Sequence, residues 1–196
     1  MKIAILGATG AVGRQMVECI EEQNIPCDEL KLLASARSVG VQIPFQGKNL
    51  TVEEACETSF EGMDIVLGAA SNALAKKFAP YIVKAGAVFI DNSSAFRMDP
   101  EVPLVVPEIN GEDAGNHKGI ISNPNCSTII ACMAIAAIDK QFHITNMIAS
   151  TYQAVSGAGK NGITELENQI ANTDMTPSVF PYQIACNCIQ CIGSPT

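Results

Sequence analysis

The sequence predicts an α/β fold: a Rossmann-like, mostly parallel sheet with helices on both faces, followed by an incomplete α+β domain. Three observations carry this. Short apolar strands alternate with helical stretches as far as about residue 140, and that alternation builds a parallel sheet. Several of the strands are apolar at every position, which fits burial on both faces. A glycine-rich turn joins the first strand to the first helix.

The elements follow in order. Lys2–Leu6 reads as a buried strand and Ala11–Glu22 as the helix after it. Leu30–Ser35 is the second strand, and Ile43–Val52 is a hairpin around Gln46-Gly47-Lys48. Asp64–Ala69, Asn72–Ala85 and Ala87–Asp91 give strand, helix and strand. Leu104–Val106 and Gly119–Ser122 are short strands, and Ser127–Lys140 is an apolar helix. The character then changes. Ile144–Tyr152 alternates loosely as a longer strand, and Gly159–Gly162 leads into a helix with Ile163, Leu166 and Ile170 on one face. Pro177 and Pro181 bar a helix beyond it. A domain boundary is expected near Cys126, giving residues 1–126 and 127–196. The second piece is small for burying a core by itself.

Composition excludes several functions. The 196 residues are 47% hydrophobic and 16% charged, enough apolar material for a packed core. Twelve Lys and Arg against twenty Asp and Glu leave a net charge of −8. An acidic chain lacks the basic face that nucleic acid or an anionic membrane surface requires. The apolar run Ile129–Ile138 is too short to span a bilayer. The N-terminus reads as a strand and not as a signal peptide. Eight cysteines without an export signal point to reduced thiols and a cytoplasmic address.

The first chemical motif is Gly7-Ala8-Thr9-Gly10-Ala11-Val12-Gly13. Its G-x-x-G-x-x-G spacing, between strand and helix, is a variant of the dinucleotide fingerprint. Glycines allow the tight turn, and the helix N-terminus favours a pyrophosphate. The end of the second strand should choose the cofactor, because an acid there binds a free ribose 2′-hydroxyl. This chain instead has Ser35, Arg37 and Ser38, which suit the 2′-phosphate of NADP. Asp28 and Glu29 precede the strand and so lie at its wrong end.

The second motif is Ser122-Asn123-Pro124-Asn125-Cys126-Ser127-Thr128. A strand ends, proline forces an extended turn, and a helix begins at Cys126. A helix start favours thiolate, the form a nucleophile needs. Cys19, Cys27, Cys56 and Cys132 read instead as small packing residues. The helix rises about 21 Å and the strand Ile144–Tyr152 returns about 27–30 Å. On that arithmetic Gln153 returns to the level of Cys126, followed by the turn Ser156-Gly157-Ala158-Gly159. Arg97, in the polar stretch Asp91–Asp99, has the paired donors that hold a phosphate or carboxylate; the alternative is an ion pair with Asp91 or Asp99. His143 stands at the far end of the helix and His117 in a loop, so no Cys–His pair is evident. Cys186, Cys188 and Cys191 make a C-x-C-x-x-C pattern without a neighbouring histidine, and no metal site is expected.

Together, Gly7–Gly13, Ser35–Ser38, Asp91–Arg97, Ser122–Thr128 and Thr151–Gly162 resemble the aspartate-semialdehyde dehydrogenases, in that family's order across residues 1–185. The resemblance implies reversible, NADP-dependent oxidative phosphorylation of L-aspartate 4-semialdehyde to 4-aspartyl phosphate, on the route to lysine, threonine, methionine and isoleucine. It makes Cys126 the nucleophile, whose acyl thioester is cleaved by inorganic phosphate. Arg97 and Asn125 would hold the phosphate, and Gln153 would orient the substrate. Gly7, Thr9, Gly10, Ala11, Val12, Gly13, Ser35, Arg37, Ser38, Ser156 and Gly157 would contact NADP. A homodimer or homotetramer is implied. Family members continue well past residue 196, so the chain is expected to lack their C-terminal part, with its catalytic histidine, an arginine for the substrate carboxylate and the dimer interface. Residues 127–196 would then be part of a substrate and dimerisation domain. Two other readings stay open: a catalytically impaired chain that binds NADP only, and a related acyl-phosphate reductase.

Overall fold

A computed structural model describes residues 1–172 and 175–190. The chain divides into two compact units, Met1–Ser150 and Thr151–Thr196.

The first unit is built on a parallel sheet of six strands: β1 (Lys2–Leu6), β2 (Glu29–Ala34), β5 (Glu53–Glu54), β6 (Ile65–Gly68), β7 (Val88–Asp91) and β8 (Ile120–Ser122). Their order is β5-β2-β1-β6-β7-β8. The strand order reverses direction at β1, so the crevice between β1 and β6 is a topological switch point. β3 (Gln42–Phe45) and β4 (Lys48–Thr51) form the separate hairpin, turning through Gln46 and Gly47 at φ +47° and +72°. Two successive positive φ values match the right-handed twist of the strands.

Alternation along β1 explains why the strands are apolar throughout. Ile3 and Ile5 point to one face, where they pack with Val17 and Ile20 of α1 (Ala11–Glu22) and with Leu32, Ile43 and Phe45. Ala4 and Leu6 point to the other, with Phe60, Val66, Phe89 and with Phe78 and Ile82 of α2 (Asn72–Lys84). Phe60 meets Phe78 edge-to-face at 5.6 Å. Burying one such ring stabilises the fold by about 1.5–3 kcal/mol.

Some expectations differ from the structure. β5 was not anticipated: Glu53 and Glu54 carry no apolar signal, yet they pair with Leu33 and Ala34. Leu104–Val106 makes only a single bridge, between Leu104 and Ser122, and α3 (Pro107–Asn110) follows with Pro107 opening it. The helix after β8 is α4 (Cys126–Phe142). It stays with the first compact unit, which ends at Ser150. α4 buries none of its residues, although Ile130, Met133, Ile138 and Phe142 lie along it.

Ile144–Tyr152 is not a strand: residues 143–154 have no regular structure, and Ile148 is 97% exposed. A strand exists only beside a hydrogen-bonded neighbour, and among the described residues nothing pairs with this segment. Without that strand the chain has no fixed rise per residue between His143 and Gln153, so the expected return of Gln153 to the level of Cys126 has no support.

The second unit holds a 3-10 turn (Val155–Ala158), α5 (Gly159–Ala171) and the irregular segment 175–190. α5 keeps Ile163 and Leu166 half-buried but buries polar residues more deeply. Its buried residues are Gly162, Glu165 and Gln169, while Ile170 is 66% exposed. The Glu165 carboxylate accepts hydrogen bonds from the Ser178 hydroxyl (2.7 Å) and from the N–H groups of Ser178, Val179 and Phe180 (2.8, 2.6 and 3.3 Å). Gln169 Oε1 accepts from Ile184 and Ala185 N–H at 2.8 and 3.1 Å. The irregular segment carries backbone donors that must be satisfied, and only the polar face of α5 can do that. Burial disfavours the Glu165 carboxylate, but these four donors outweigh it and hold its pKa down at about 2.

Candidate active site

Every parallel strand hands over to a loop at the same edge of the sheet. The loop after β1 is the glycine turn. Gly7 sits at φ +96°, and a Cβ there would come within 2.5 Å of the Ala69 carbonyl oxygen. At Gly13 a Cβ would lie 2.3 Å from the Gly7 carbonyl oxygen. These two glycines let β1, the next loop and α1 touch. Gly10 differs, since its nearest neighbour would be 3.4 Å away. It caps α1 without a side-chain hydrogen bond, which leaves the first-turn N–H groups of Ala11, Val12 and Gly13 available for an anion. The turn therefore fits the pyrophosphate of a dinucleotide.

The loop after β2 comes beside it. Thr9 Oγ1 donates to Ser38 Oγ at 3.2 Å. Arg37 and Ser35 are exposed, in and just before the short 3-10 turn Ala36–Ser38.

The loops after β7 and β8 carry the remaining polar groups. Asn125 caps α4, its Oδ1 accepting from Ser127 N–H at 3.0 Å. Cys126 is then the first residue of the helix, with an exposed thiol. Arg97 lies in the loop after β7. Its Nε donates to the Asn123 carbonyl at 2.9 Å and its Nη2 to the Asn92 carbonyl at 3.0 Å. Asp91 is occupied by Ser93, and Asp99 accepts from Glu101 N–H. Among the described residues, no carboxylate forms a salt bridge with Arg97, so the ion-pair alternative does not hold. Cys126, Arg97, Asn125 and both cofactor loops thus belong to the first unit. Gln153, Ser156 and Gly157 belong to the second, all three exposed.

Neither histidine is hydrogen-bonded to the thiol. His117 Nδ1 accepts from Gly119 N–H at 2.9 Å. His143 ends α4 at φ +48°, one helix length of about 25 Å from Cys126. Two cysteines expected to be packed are exposed, Cys19 and Cys56. Cys56 is held below the usual thiol range by hydrogen bonds with the Ser59 and Thr58 hydroxyls, while burial pushes Cys27 up. Among the described residues no cluster of His, Cys, Asp or Glu could hold a metal ion; Cys191 lies outside them.

The polar residues that shape the edge were not singled out from the sequence. Asn72 Nδ2 donates to Ser94 Oγ at 2.8 Å and Asn72 Oδ1 accepts from Ser94 N–H at 3.1 Å. Asn123 Nδ2 donates to Asn92 Oδ1. Their signal was position: each follows the carboxyl end of a parallel strand or opens the next helix, where ligands gather.

Residues 2–117 match the family profile described as semialdehyde dehydrogenase, NAD binding domain. The chain belongs to the semialdehyde dehydrogenase family. Residues 135–196 match that family's dimerisation domain. Among relatives of the semialdehyde dehydrogenase family, the aspartate-semialdehyde dehydrogenase of Bacillus subtilis is 46% identical over 200 residues, covering 96% of this chain and 58% of that protein. The crystal structure of aspartate semialdehyde dehydrogenase II from Vibrio cholerae, complexed with ASA, superposes with a TM-score of 0.93 at 42% identity, over 98% of this chain and 59% of that one. The Candida albicans enzyme, crystallised with NADP, has a TM-score of 0.61 at 26% identity, over 74% of this chain and 48% of that one. The chain thus spans somewhat more than half the length of the two closer relatives. No helix among the described residues is long and apolar enough to cross a membrane.

Proposed function

We propose that this chain carries the nucleophile, phosphate and cofactor residues of an aspartate-semialdehyde dehydrogenase. The reaction is the reversible, NADP-dependent conversion of L-aspartate 4-semialdehyde and inorganic phosphate to 4-aspartyl phosphate, in the cytoplasmic biosynthesis of lysine, threonine, methionine and isoleucine. The observation that carries this is the Arg97 guanidinium. It is fixed to the carbonyl three residues before Cys126 and, among the described residues, forms no salt bridge with a carboxylate. A half-buried cation with no salt bridge among the described residues, bonded to the loop that leads into an exposed cysteine, suits cleavage of an acyl thioester by phosphate.

The chemistry follows from the residue types. Cys126 Sγ, as thiolate, bonds to the aldehyde carbon, and loss of that carbon's hydrogen as hydride leaves the acyl group on sulfur as a thioester. Arg97, with Asn125 close by, holds the incoming phosphate and lowers its repulsion. A phosphate oxygen bonds to the acyl carbon as the carbon–sulfur bond breaks, releasing 4-aspartyl phosphate and the Cys126 thiolate. A nicotinamide cofactor, when bound, takes up or supplies the hydride. Gly7, Thr9, Gly10, Ala11, Val12 and Gly13 would hold its pyrophosphate, and Ser35, Arg37 and Ser38 its 2′-phosphate. Gln153 is assigned to substrate orientation, and Ser156 and Gly157 to further cofactor contacts, on family resemblance. Residues 135–196 match the family's dimerisation domain, which supports a homodimer or homotetramer.

The test mixes the protein with aspartate semialdehyde, phosphate and NADP⁺ and follows NADPH absorbance. Turnover that falls about 10³-fold or more in Cys126→Ser supports the reading. Full activity in that variant overturns it. One observation favours a second reading, in which the chain binds NADP without turning over: α4 buries no residue and residues 143–154 lack regular structure. Measurable NADP affinity with no absorbance change would select it. Turnover with a different aldehyde only would instead indicate a related acyl-phosphate reductase.

A further inference from the structure

Arg97 spends one edge of its guanidinium on the fold. Nε and Nη2 together form the side edge, and both donate to backbone carbonyls, of Asn123 and Asn92. These carbonyls end neighbouring strands, since Asn92 follows β7 and Asn123 follows β8. The spacing of the two carbonyls therefore decides where the guanidinium plane lies. Two backbone bonds extend the sheet to this level: Asn92 N–H to the Gly68 carbonyl (3.1 Å) and Asn123 N–H to the Asp91 carbonyl (2.8 Å). One side-chain bond then ties the two residues directly, from Asn123 Nδ2 to Asn92 Oδ1.

We propose that Asn92 and Asn123 are positioning residues for Arg97: their carboxamide pair fixes the two carbonyls that grip the side edge of the guanidinium, so that only the end edge, Nη1 and Nη2, is offered to an oxyanion. The inference rests on the assignment of Arg97 to phosphate. Among the described residues that end edge has no carboxylate partner. Two parallel N–H donors in one plane match two oxygens of a phosphate. A guanidinium already immobilised by the fold loses little freedom when the anion arrives. The neighbouring Asn72–Ser94 pair, with two hydrogen bonds, holds the same loop from the α2 side.

The experiment needs no turnover. Cys126 is alkylated with anionic iodoacetate and separately with neutral iodoacetamide, at rising inorganic phosphate, and the label is mapped by mass. Phosphate should slow iodoacetate labelling of Cys126 in the wild type. In Asn92→Ala and in Asn123→Ala the half-protecting phosphate concentration should rise about three- to tenfold, the equivalent of one lost hydrogen bond. The double variant should be no worse than either single one, because both remove the same bond. Iodoacetamide labelling should not change, which a general loosening of the α4 start would not allow. If Arg97→Ala shifts the phosphate protection but neither asparagine variant does, the positioning role is wrong and the phosphate assignment stands. If phosphate fails to protect the wild type, the assignment of Arg97 falls and the asparagine role falls with it.

Discussion

The hydroxyl of Thr9, in the turn after β1, donates to the hydroxyl of Ser38, in the turn after β2, across 3.2 Å. This bond joins the loop assigned to the pyrophosphate to the loop assigned to the 2′-phosphate. Arg37 is adjacent to Ser38 and exposed. Arg37→Ala is expected to weaken NADP about tenfold, the worth of one charge-assisted hydrogen bond after solvent screening. NAD affinity should stay the same. Titration of both cofactors gives the ratio, and an unchanged ratio removes Arg37 from the site.

Gly13→Ala should damage the fold. The added carbon would sit 2.3 Å from the Gly7 carbonyl oxygen and 2.7 Å from Ala8 Cα. Both are backbone atoms, so α1 must shift, at a cost of about 1–3 kcal/mol. Gly10→Ala meets nothing nearer than 3.4 Å and should cost about 1 kcal/mol or less, as a poorer helix cap. Denaturant unfolding of the two variants should rank them in that order.

Among the cysteines, Cys126 should be labelled first by iodoacetate near neutral pH. It is exposed in the first turn of α4, where unpaired helix N–H groups attract an anionic reagent. Cys56 should follow, because the Ser59 and Thr58 hydroxyls stabilise its thiolate. Peptide mapping after brief labelling gives the order. Cys56 labelled ahead of Cys126 would count against an activated thiol at the α4 start.

Glu165 should make the second unit acid-sensitive. Its pKa is lowered from 4.5 to about 2. A depressed carboxylate contributes stability that is present above the unfolded value and lost as pH falls through the folded one. The contribution should therefore be intact above about pH 4.5 and disappear toward pH 2. Glu165→Gln should remove that part of the pH dependence and lower stability at neutral pH. Amide hydrogen exchange at Ser178, Val179 and Phe180 reads the effect locally. Unchanged protection in the variant would show that the carboxylate does not hold the segment.

The sheet was legible because its strands are apolar on both faces and its loops carry glycine, serine and asparagine where the chain turns. The glycine turn and the Asn125-Cys126 helix start were legible for the same reason: special backbone geometry demands special residues. β5 was invisible, since two glutamates become a strand only when Leu33 and Ala34 offer a free edge. The apolar alternation of Ile144–Tyr152 misled, because alternation states a preference and pairing requires a partner strand.

By itself the sequence determined the layers of the first unit, the strand-to-helix turn for a dinucleotide and the placing of Cys126 at a helix start. Each rests on local chemistry: side-chain period, glycine freedom and helix capping. Tertiary structure alone decided that Arg97 grips the carbonyls of Asn92 and Asn123, that Thr9 meets Ser38, and that α5 buries Glu165 and Gln169. Those outcomes depend on which backbone donors and acceptors are left over once distant segments meet, and no local pattern records that.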